Sequence, residues 1–130
     1  MILLDTHVVI WLAQDYSQIS AIARTAIAEA RKKERGIAIS DITLFEISLL
    51  ASHGRVTFKP NAETALYEIE RQFVVLPITA NIALQAYELP TSYPKDPVDR
   101  IIGATALVED VPLLTADREI RKSRTIPTIW

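Results

Sequence analysis

Four acidic side chains in this sequence of 130 residues stand where the local pattern is apolar or where a helix should begin. Asp5 is the first, and it separates the apolar runs 2–4 and 8–12. A carboxylate buried between such runs costs several kcal/mol unless it is paired or bound to a cation. Asp5 and Thr6 also stand where an N-terminal helix cap is expected, so capping is an alternative explanation.

Glu46 shares a predicted helix face with apolar residues. The spacing of Ile42, Phe45 and Leu49 predicts one apolar stripe on that helix. Glu46 lies four residues after the start of the stripe and three before its end, so it falls on the same face. A glutamate at the margin of the stripe with its carboxylate in water is the alternative.

Asp99 and Asp117 both lie close to predicted helix starts. Asp99 is the third residue of a helix that Asp96 is expected to cap, a place where the helix dipole favours acids. Gly103, four residues further on, is expected to leave open space beside Asp99. Asp117 follows a predicted strand, and either Asp117 or Thr115 could be a cap.

The four acids would repel one another if the fold gathered them, unless a divalent cation lay between them. Such an ion would have oxygen ligands, as magnesium and manganese prefer, because the chain has no cysteine and only two histidines. It could activate a water molecule and stabilise charge on a phosphoryl oxygen.

The elements that would position these acids alternate between strand and helix. The apolar patterns predict strands at 1–4, 37–40, 74–78 and 112–115, with an edge strand within 125–130. They predict helices at 6–14, 20–35, 41–54, 61–73, 79–89 and 97–110, with a helical turn or two at 116–123. Gly36 is expected to stop the second helix. This order predicts an α/β fold with a central, mainly parallel sheet flanked by helices on both faces. Ligands bind beyond the carboxyl ends of strands in such sheets.

The composition bounds the function further. Apolar residues make up 49% and charged residues 23% of the chain, which is typical of one globular domain over 1–130. The formal charge of −2 gives no overall attraction for polyanions. The longest uncharged run, 72–87, is too short and too polar to span a bilayer. A cytoplasmic protein without a membrane partner is expected.

Four segments carry a resemblance to a known family: LLDTHVVIWL, ISDITLFEISLL, PKDPVDRIIGATAL and PLLTADREI. In this order and spacing, they resemble the PIN domain and, more narrowly, the VapC-type toxins of bacterial toxin–antitoxin pairs. The resemblance covers essentially the whole chain, including the terminal IPTIW. It implies a ribonuclease that depends on Mg²⁺ or Mn²⁺ and hydrolyses phosphodiester bonds in single-stranded RNA.

The resemblance also implies roles for individual residues. Asp5 and Asp99 would be the principal metal ligands, and Glu46 and Asp117 would complete the catalytic cluster directly or through water. Thr6, Asp96 and Thr115 are further candidates at the site, with Asp96 expected to be a cap. His7 stands where many members carry Asn or Ser, and at most it would orient Asp5 or RNA.

Two kinds of partner follow from the resemblance. The RNA substrate would be guided by local cations rather than by net charge; the candidates are Arg100, Arg118, Arg121, Lys122, Arg124 and Lys95. The protein partner would be a cognate antitoxin that lies across the site, and the toxin itself would be a homodimer.

Two alternatives from other functional classes remain. A receiver-type signalling domain is also a small α/β fold with an acidic magnesium pocket. It would need paired acids after the first strand and a lysine after a late strand, and neither is present. A PIN-like module that binds without catalysis is the second alternative, and the intact acids count against it.

Overall fold

The structure is a computed structural model that describes all 130 residues. Its five strands are β1 (Ile2–Leu4), β2 (Ile37–Ser40), β3 (Val74–Leu76), β4 (Leu113–Leu114) and β5 (Thr128–Ile129). Its seven α-helices are α1 (Thr6–Gln14), α2 (Ala21–Arg31), α3 (Asp41–Ser52), α4 (Ala62–Gln72), α5 (Ala80–Glu88), α6 (Pro97–Glu109) and α7 (Arg118–Ser123). The predicted alternation of strands and helices is confirmed.

The strands form one sheet in the order β3-β2-β1-β4-β5, and all four neighbouring pairs are parallel. The chain moves from β1 outward to β3 on one side and then returns to place β4 on the other side of β1. The strand order therefore reverses between β1 and β4. Parallel α/β sheets place their ligand sites at the carboxyl side of such a reversal.

Both faces of the sheet are covered because successive strand residues point to opposite sides. Leu4 and Ile39 pack in one core cluster with residues of α1, α2 and α4. Leu3 and Leu113 pack in a second cluster with residues of α6 and α7. The predicted layer of helices on each face is thus confirmed. None of the helices combines the length and the apolar content that crossing a membrane requires.

The second helix ends earlier than predicted. Helix α2 stops at Arg31, and Gly36 lies beyond it at the start of the path into β2. A Cβ atom at Gly36 would lie 1.9 Å from the carbonyl oxygen of Ala30, so the absence of a side chain permits this close approach. The prediction that Gly36 stops the second helix is therefore wrong. Gly36 instead allows the backbone that follows α2 to pack closely against the end of that helix.

One predicted apolar face is rotated in the structure. In α3, Phe45 is 59% exposed and Leu49 is 44% exposed. The buried residues of α3 are instead Thr43 and Ile47. The predicted stripe of Ile42, Phe45 and Leu49 is therefore wrong as the core face of α3.

The expected open space beside Asp99 is also wrong. A Cβ atom at Gly103 would lie 2.3 Å from the hydroxyl oxygen of Tyr93, whose ring fills that place. Tyr93 is buried, and its hydroxyl donates a 2.9 Å hydrogen bond to the backbone carbonyl of Asp99. The small residue thus admits a tyrosine that fixes the backbone of the first turn of α6.

Candidate functional site

A cavity of about 360 Å³ lies at the carboxyl ends of β1 and β4. Its lining residues are Asp5, His7, Trp11, Glu46, Asp96, Asp99, Ala116 and Asp117. All four predicted acids therefore face one space, although they come from four separate parts of the chain. A fifth carboxylate, that of Asp96, joins them.

Asp5 is held by two donors from different elements. It caps α1, and its Oδ1 accepts a 2.8 Å hydrogen bond from the backbone N–H of Thr6. Its Oδ2 accepts a 2.7 Å hydrogen bond from the hydroxyl of Thr115, which follows β4. Asp5 is only 7% exposed. The carboxylate is thus fixed in orientation, and its oxygens keep further lone pairs for a ligand.

Asp117 is positioned through the same threonine. The backbone N–H of Asp117 donates to the Thr115 hydroxyl at 3.1 Å. The Oδ1 of Asp117 accepts from the backbone N–H groups of Glu119 and Ile120 at 2.9 and 3.0 Å, so this residue caps α7. Thr115 therefore connects the carboxylate of Asp5 with the backbone of Asp117, and these two acids follow the neighbouring strands β1 and β4.

Glu46 reaches the cavity from α3, which is tied to α1 beneath the site. The hydroxyls of Thr6 and Thr43 share a 3.2 Å hydrogen bond, and both residues are fully buried. Thr43 lies three residues before Glu46 and was not singled out in the sequence. The signal in the sequence that could have identified Thr43 is its position three residues before a suspected ligand on the same predicted helix.

Asp99 enters from the first turn of α6. Asp96 caps that helix by accepting a 3.0 Å hydrogen bond from the N–H of Asp99, as predicted. The carboxylate of Asp99 itself accepts no hydrogen bond from the protein and is partly buried. Its two oxygens are therefore directed to the cavity without a protein donor.

The acids of the cavity form no salt bridge with a lysine or an arginine. The two ion pairs of the structure, Lys32–Glu29 and Arg71–Glu68, include none of the cavity acids. Burial raises the pKa of Asp99 to about 7, and the charges of the other four cavity acids add to this effect.

The pKa values of the two neighbouring acids move in the same direction. Burial raises the pKa of Asp5 above its usual value, despite the opposing hydrogen bonds from Thr115 and Thr6. Burial also raises the pKa of Glu46, and the charge of Asp5 adds to it. A cation in the cavity would relieve the desolvation and repulsion that cause these shifts.

No three of these side chains are gathered closely enough to hold a metal ion directly. The donor set nevertheless suits a hard ion, since it consists of carboxylate oxygens with no thiolate and one exposed imidazole. Magnesium ordinarily keeps several water ligands, so it needs only one or two direct carboxylates. The cavity therefore fits a divalent ion bound partly through water.

The raised pKa of Asp99 predicts how the stability of the metal-free protein depends on pH. The folded protein binds this proton at a pKa of about 7 and the unfolded chain at about 3.8, so folding is penalised where Asp99 is ionised. We expect the melting temperature of the chelator-treated protein to rise as the pH is lowered from above 7 towards 4. Calorimetry checks this, and a melting temperature that falls over that interval would contradict it.

Asp99→Asn is the matched variant for this experiment. It removes the group with the raised pKa of about 7 and should reduce the pH dependence, while the raised pKa values of Asp5 and Glu46 leave part of it. Asp15 does not interfere in this interval. Hydrogen bonding by Ser17 lowers the pKa of Asp15, so the stability that it contributes is lost only at pH values below its usual pKa of 3.8.

The predicted RNA-binding cations fall into two groups. The guanidinium of Arg100 donates to the backbone carbonyls of Ala86, Leu89, Tyr93 and Pro94. It thereby fastens the end of α5 and the following loop to α6, so the structure does not support a contact of Arg100 with RNA. Arg118 and Arg121 on α7 are exposed and form no ion pair, as expected for cations available to a polyanion.

Trp11 and Ala116 are the two cavity residues that were not identified from the sequence. Trp11 lies four residues after His7 on α1, so both side chains are on one helix face. The spacing from His7 was the available signal, but the residue also fits the apolar pattern of α1.

The chain is similar in sequence to known proteins along nearly its whole length. The family model described as PIN domain matches residues 2–124. The chain is 33% identical over 123 residues to Ribonuclease VapC22 of Mycobacterium tuberculosis strain ATCC 25618 / H37Rv, a match that covers 95% of this chain and 92% of the relative.

Solved structures from toxin–antitoxin systems share the fold. VapBC2 from Rickettsia felis, bound to a DNA fragment from its promoter, superposes with a TM-score of 0.75 at 19% identity, over 98% of this chain and 97% of the other. DNA-bound VapBC from Salmonella typhimurium has a TM-score of 0.71 at 20% identity, over 98% and 95% of the two chains.

Proposed function

The chain belongs to the PIN-domain family, and from this premise we propose that it is a divalent-metal-dependent ribonuclease and the toxin of a toxin–antitoxin pair. Its reaction is the hydrolysis of phosphodiester bonds in single-stranded RNA. The relative named Ribonuclease VapC22 supports the activity. The family match leaves the receiver-type alternative without support.

One observation carries the proposal for the site: acids that follow β1 and β4 and acids on α3 and α6 line one cavity, and none of them forms a salt bridge. We assign Asp5 and Asp99 as the principal metal ligands. Glu46 and Asp117 complete the catalytic cluster, either directly or through water. The ion is Mg²⁺ or Mn²⁺, because the donors are hard oxygens.

The bound ion would supply Lewis-acid stabilisation of the phosphate and a lowered pKa for the attacking water. The protein's own residues prepare that position. Thr115 and the N–H of Thr6 hold the carboxylate of Asp5, and the cap of α7 holds that of Asp117. No serine, threonine, cysteine or lysine lines the cavity, and four of the lining acids are assigned to the metal cluster, so the proposed nucleophile is a water molecule. In the reaction, the water oxygen bonds to phosphorus as one bridging P–O bond breaks. The attacking water loses a proton, and the ribose oxygen that leaves takes one up to become a hydroxyl.

RNA reaches the acidic site along local cations, since the net charge of −2 gives no general attraction. Arg118 and Arg121 lie on α7, the helix that Asp117 caps, and they are exposed. Lys95 and Lys122 line a separate cavity of about 650 Å³. These cations would contact phosphates outside the reacting one and fix the direction of the strand.

The protein partner is a cognate antitoxin that covers the site, and the toxin is a homodimer. The support is the fold shared with a toxin–antitoxin complex from Klebsiella pneumoniae and with VapBC-5 from Mycobacterium tuberculosis, a member of the VapBC family of toxin–antitoxin systems. The exposed apolar residues of α3, Phe45 and Leu49, offer surface for a protein contact.

Cleavage of labelled single-stranded RNA by the purified protein tests the proposed activity. We expect cleavage with Mg²⁺ or Mn²⁺ and none in excess chelator, with activity restored when the ion is added back. Persistent cleavage in chelator would contradict the metal mechanism. Tight RNA binding without cleavage, with every divalent ion tried, would instead favour the non-catalytic module.

Growth of a bacterial host tests the toxin role. We expect expression of the wild-type gene to arrest growth and co-expression of its genomic neighbour to restore it. Unaffected growth at an expression level confirmed by immunoblot would count against a toxin.

A further inference from the structure

The acidic cavity has one aromatic wall. Trp11 and His7 both line it, one helical turn apart on α1, while Val8, Val9 and Ile10 between them are buried in the core. Trp11 is half-buried and His7 is exposed. Helix α1 therefore packs one face on the sheet and presents an aromatic pair to the cavity.

The indole of Trp11 contacts two other aromatic rings. Its ring centroid lies 6.1 Å from that of His7, with an angle of 51° between the planes. Its centroid lies 5.8 Å from that of Trp130, with an angle of 48° between the planes. Trp130 follows β5 and does not line the cavity. The two contacts fix the position of Trp11 relative to the acids, so little ordering is required when a ligand binds.

The chemistry of the wall selects the part of a nucleotide that it can contact. Five of the eight lining residues are acids, which repel phosphate groups wherever no cation lies between. Trp11 and His7 are the aromatic members of the lining, and Trp11 has the larger π-face and is the only apolar one of the two. Nucleobases stack on aromatic side chains whatever their identity, because every base has a π-face.

We propose that Trp11 stacks a nucleobase beside the scissile phosphate and so positions the RNA strand over the acidic cluster. This inference rests on the proposed function, because it takes the reacting phosphate to lie among the four acids. Trp130 acts behind Trp11 as its support, and His7 flanks the stacked base. The ligand chemistry is a single-stranded segment whose base is unpaired, since a base within a duplex could not turn its face to the wall.

Steady-state cleavage of short single-stranded RNA of mixed sequence tests this role. We expect Trp11→Leu to raise KM by about 5-fold to 100-fold, the range that corresponds to loss of one base–aromatic stack, with a smaller change in kcat. Trp11→Phe keeps an aromatic face and should recover most of the loss. Tyr87→Leu removes an 87% exposed aromatic ring outside the cavity and is the matched control with unchanged KM.

Tryptophan fluorescence gives a second measurement that does not depend on turnover. The chain has only two tryptophans, so Trp130→Phe leaves Trp11 as the sole indole. We expect RNA to quench the emission of the Trp130→Phe variant strongly and that of Trp11→Phe weakly, with Asp99→Asn added to both to prevent cleavage. An abasic oligomer with the same phosphates should quench neither, because it has no base to stack.

The outcomes separate this inference from the proposed function. Wild-type cleavage with an unchanged KM in Trp11→Leu, together with equal quenching by RNA and by the abasic oligomer, would overturn the stacking role and leave the ribonuclease intact. Absence of wild-type cleavage with every divalent ion would overturn the proposed function. In that case base-dependent quenching of Trp11 would still support the stacking surface, and its absence would overturn that as well.

Discussion

Asp99→Asn is expected to reduce RNA cleavage by more than about 100-fold, since even the outer partners of metal ligands cost 10–100-fold when they are removed. The proposed role of Asp99 as a principal ligand predicts this loss. The measurement is the rate of cleavage of labelled single-stranded RNA at saturating Mg²⁺ or Mn²⁺. Retention of wild-type activity would contradict the assignment of Asp99.

The same substitution should leave the fold intact, which makes it a clean test. The carboxylate of Asp99 accepts no hydrogen bond from the protein, so the amide of asparagine breaks none. It also removes a charge that burial and four neighbouring acids disfavour. We therefore expect the chelator-treated variant to melt at or above the temperature of the wild type at pH values above 7, with an unchanged circular dichroism spectrum.

Two further variants complete this experiment. Glu109→Gln neutralises an exposed acid at the far end of the same helix and should retain full activity. Asp5→Asn should also abolish cleavage, but it replaces a carboxylate that accepts from both Thr6 and Thr115. Asparagine keeps one acceptor oxygen, and its amide nitrogen cannot accept, so one of these two hydrogen bonds is lost. Some loss of stability is therefore expected for Asp5→Asn. Asp99→Asn is therefore the more decisive of the two.

Divalent ions are expected to stabilise the folded protein strongly. Without the ion, five acids face one cavity. An ion that binds the folded state and not the unfolded chain stabilises the folded state by mass action. At an ion concentration about 100 times the Kd, the gain is ~2.7 kcal/mol, which corresponds to roughly 10 °C in melting temperature for a chain of this size. Differential scanning calorimetry with and without Mg²⁺ or Mn²⁺ measures it.

The control for this experiment separates binding from general screening. Potassium chloride at matched ionic strength screens the acids without occupying a specific site, and it should give a much smaller shift. Asp99→Asn should lose most of the increment from the divalent ion while keeping the response to potassium chloride. Equal shifts from both salts, or an undiminished shift in the variant, would count against a bound ion.

The sequence by itself determined the strands, the layers and the candidate acids. Residues 1–4 and 37–40 are mainly apolar and do not alternate with polar residues, which is typical of strands buried on both faces. Strands β1 and β2 are indeed buried throughout. Asp5 and Asp117 follow neighbouring strands. Since parallel strands end at the same edge of a sheet, the sequence predicted that both acids lie at that edge, and the structure shows that β1 and β4 are neighbours, which brings the two acids to one cavity.

Helix faces could not be predicted as well, because apolar residues occupy too much of the surface of α3. Ile42, Phe45 and Leu49 form one plausible stripe, but Thr43 and Ile47 form the buried one. The hydroxyl of Thr43 finds a partner in Thr6, and this allows a polar residue into the core. Glu46 still reaches the cavity, because it lies between the two faces.

Only the tertiary structure decided the contacts between residues that are distant in sequence. Arg100 could not be distinguished from an RNA-binding arginine until the carbonyls of α5 and the following loop were in place around its guanidinium. The space beside Gly103 belongs to Tyr93, ten residues away on a loop. Trp11 meets Trp130 only because β5 pairs with β4 and brings the end of the chain alongside α1. Periodicity and residue type report local preference, whereas these contacts depend on how the layers close on one another.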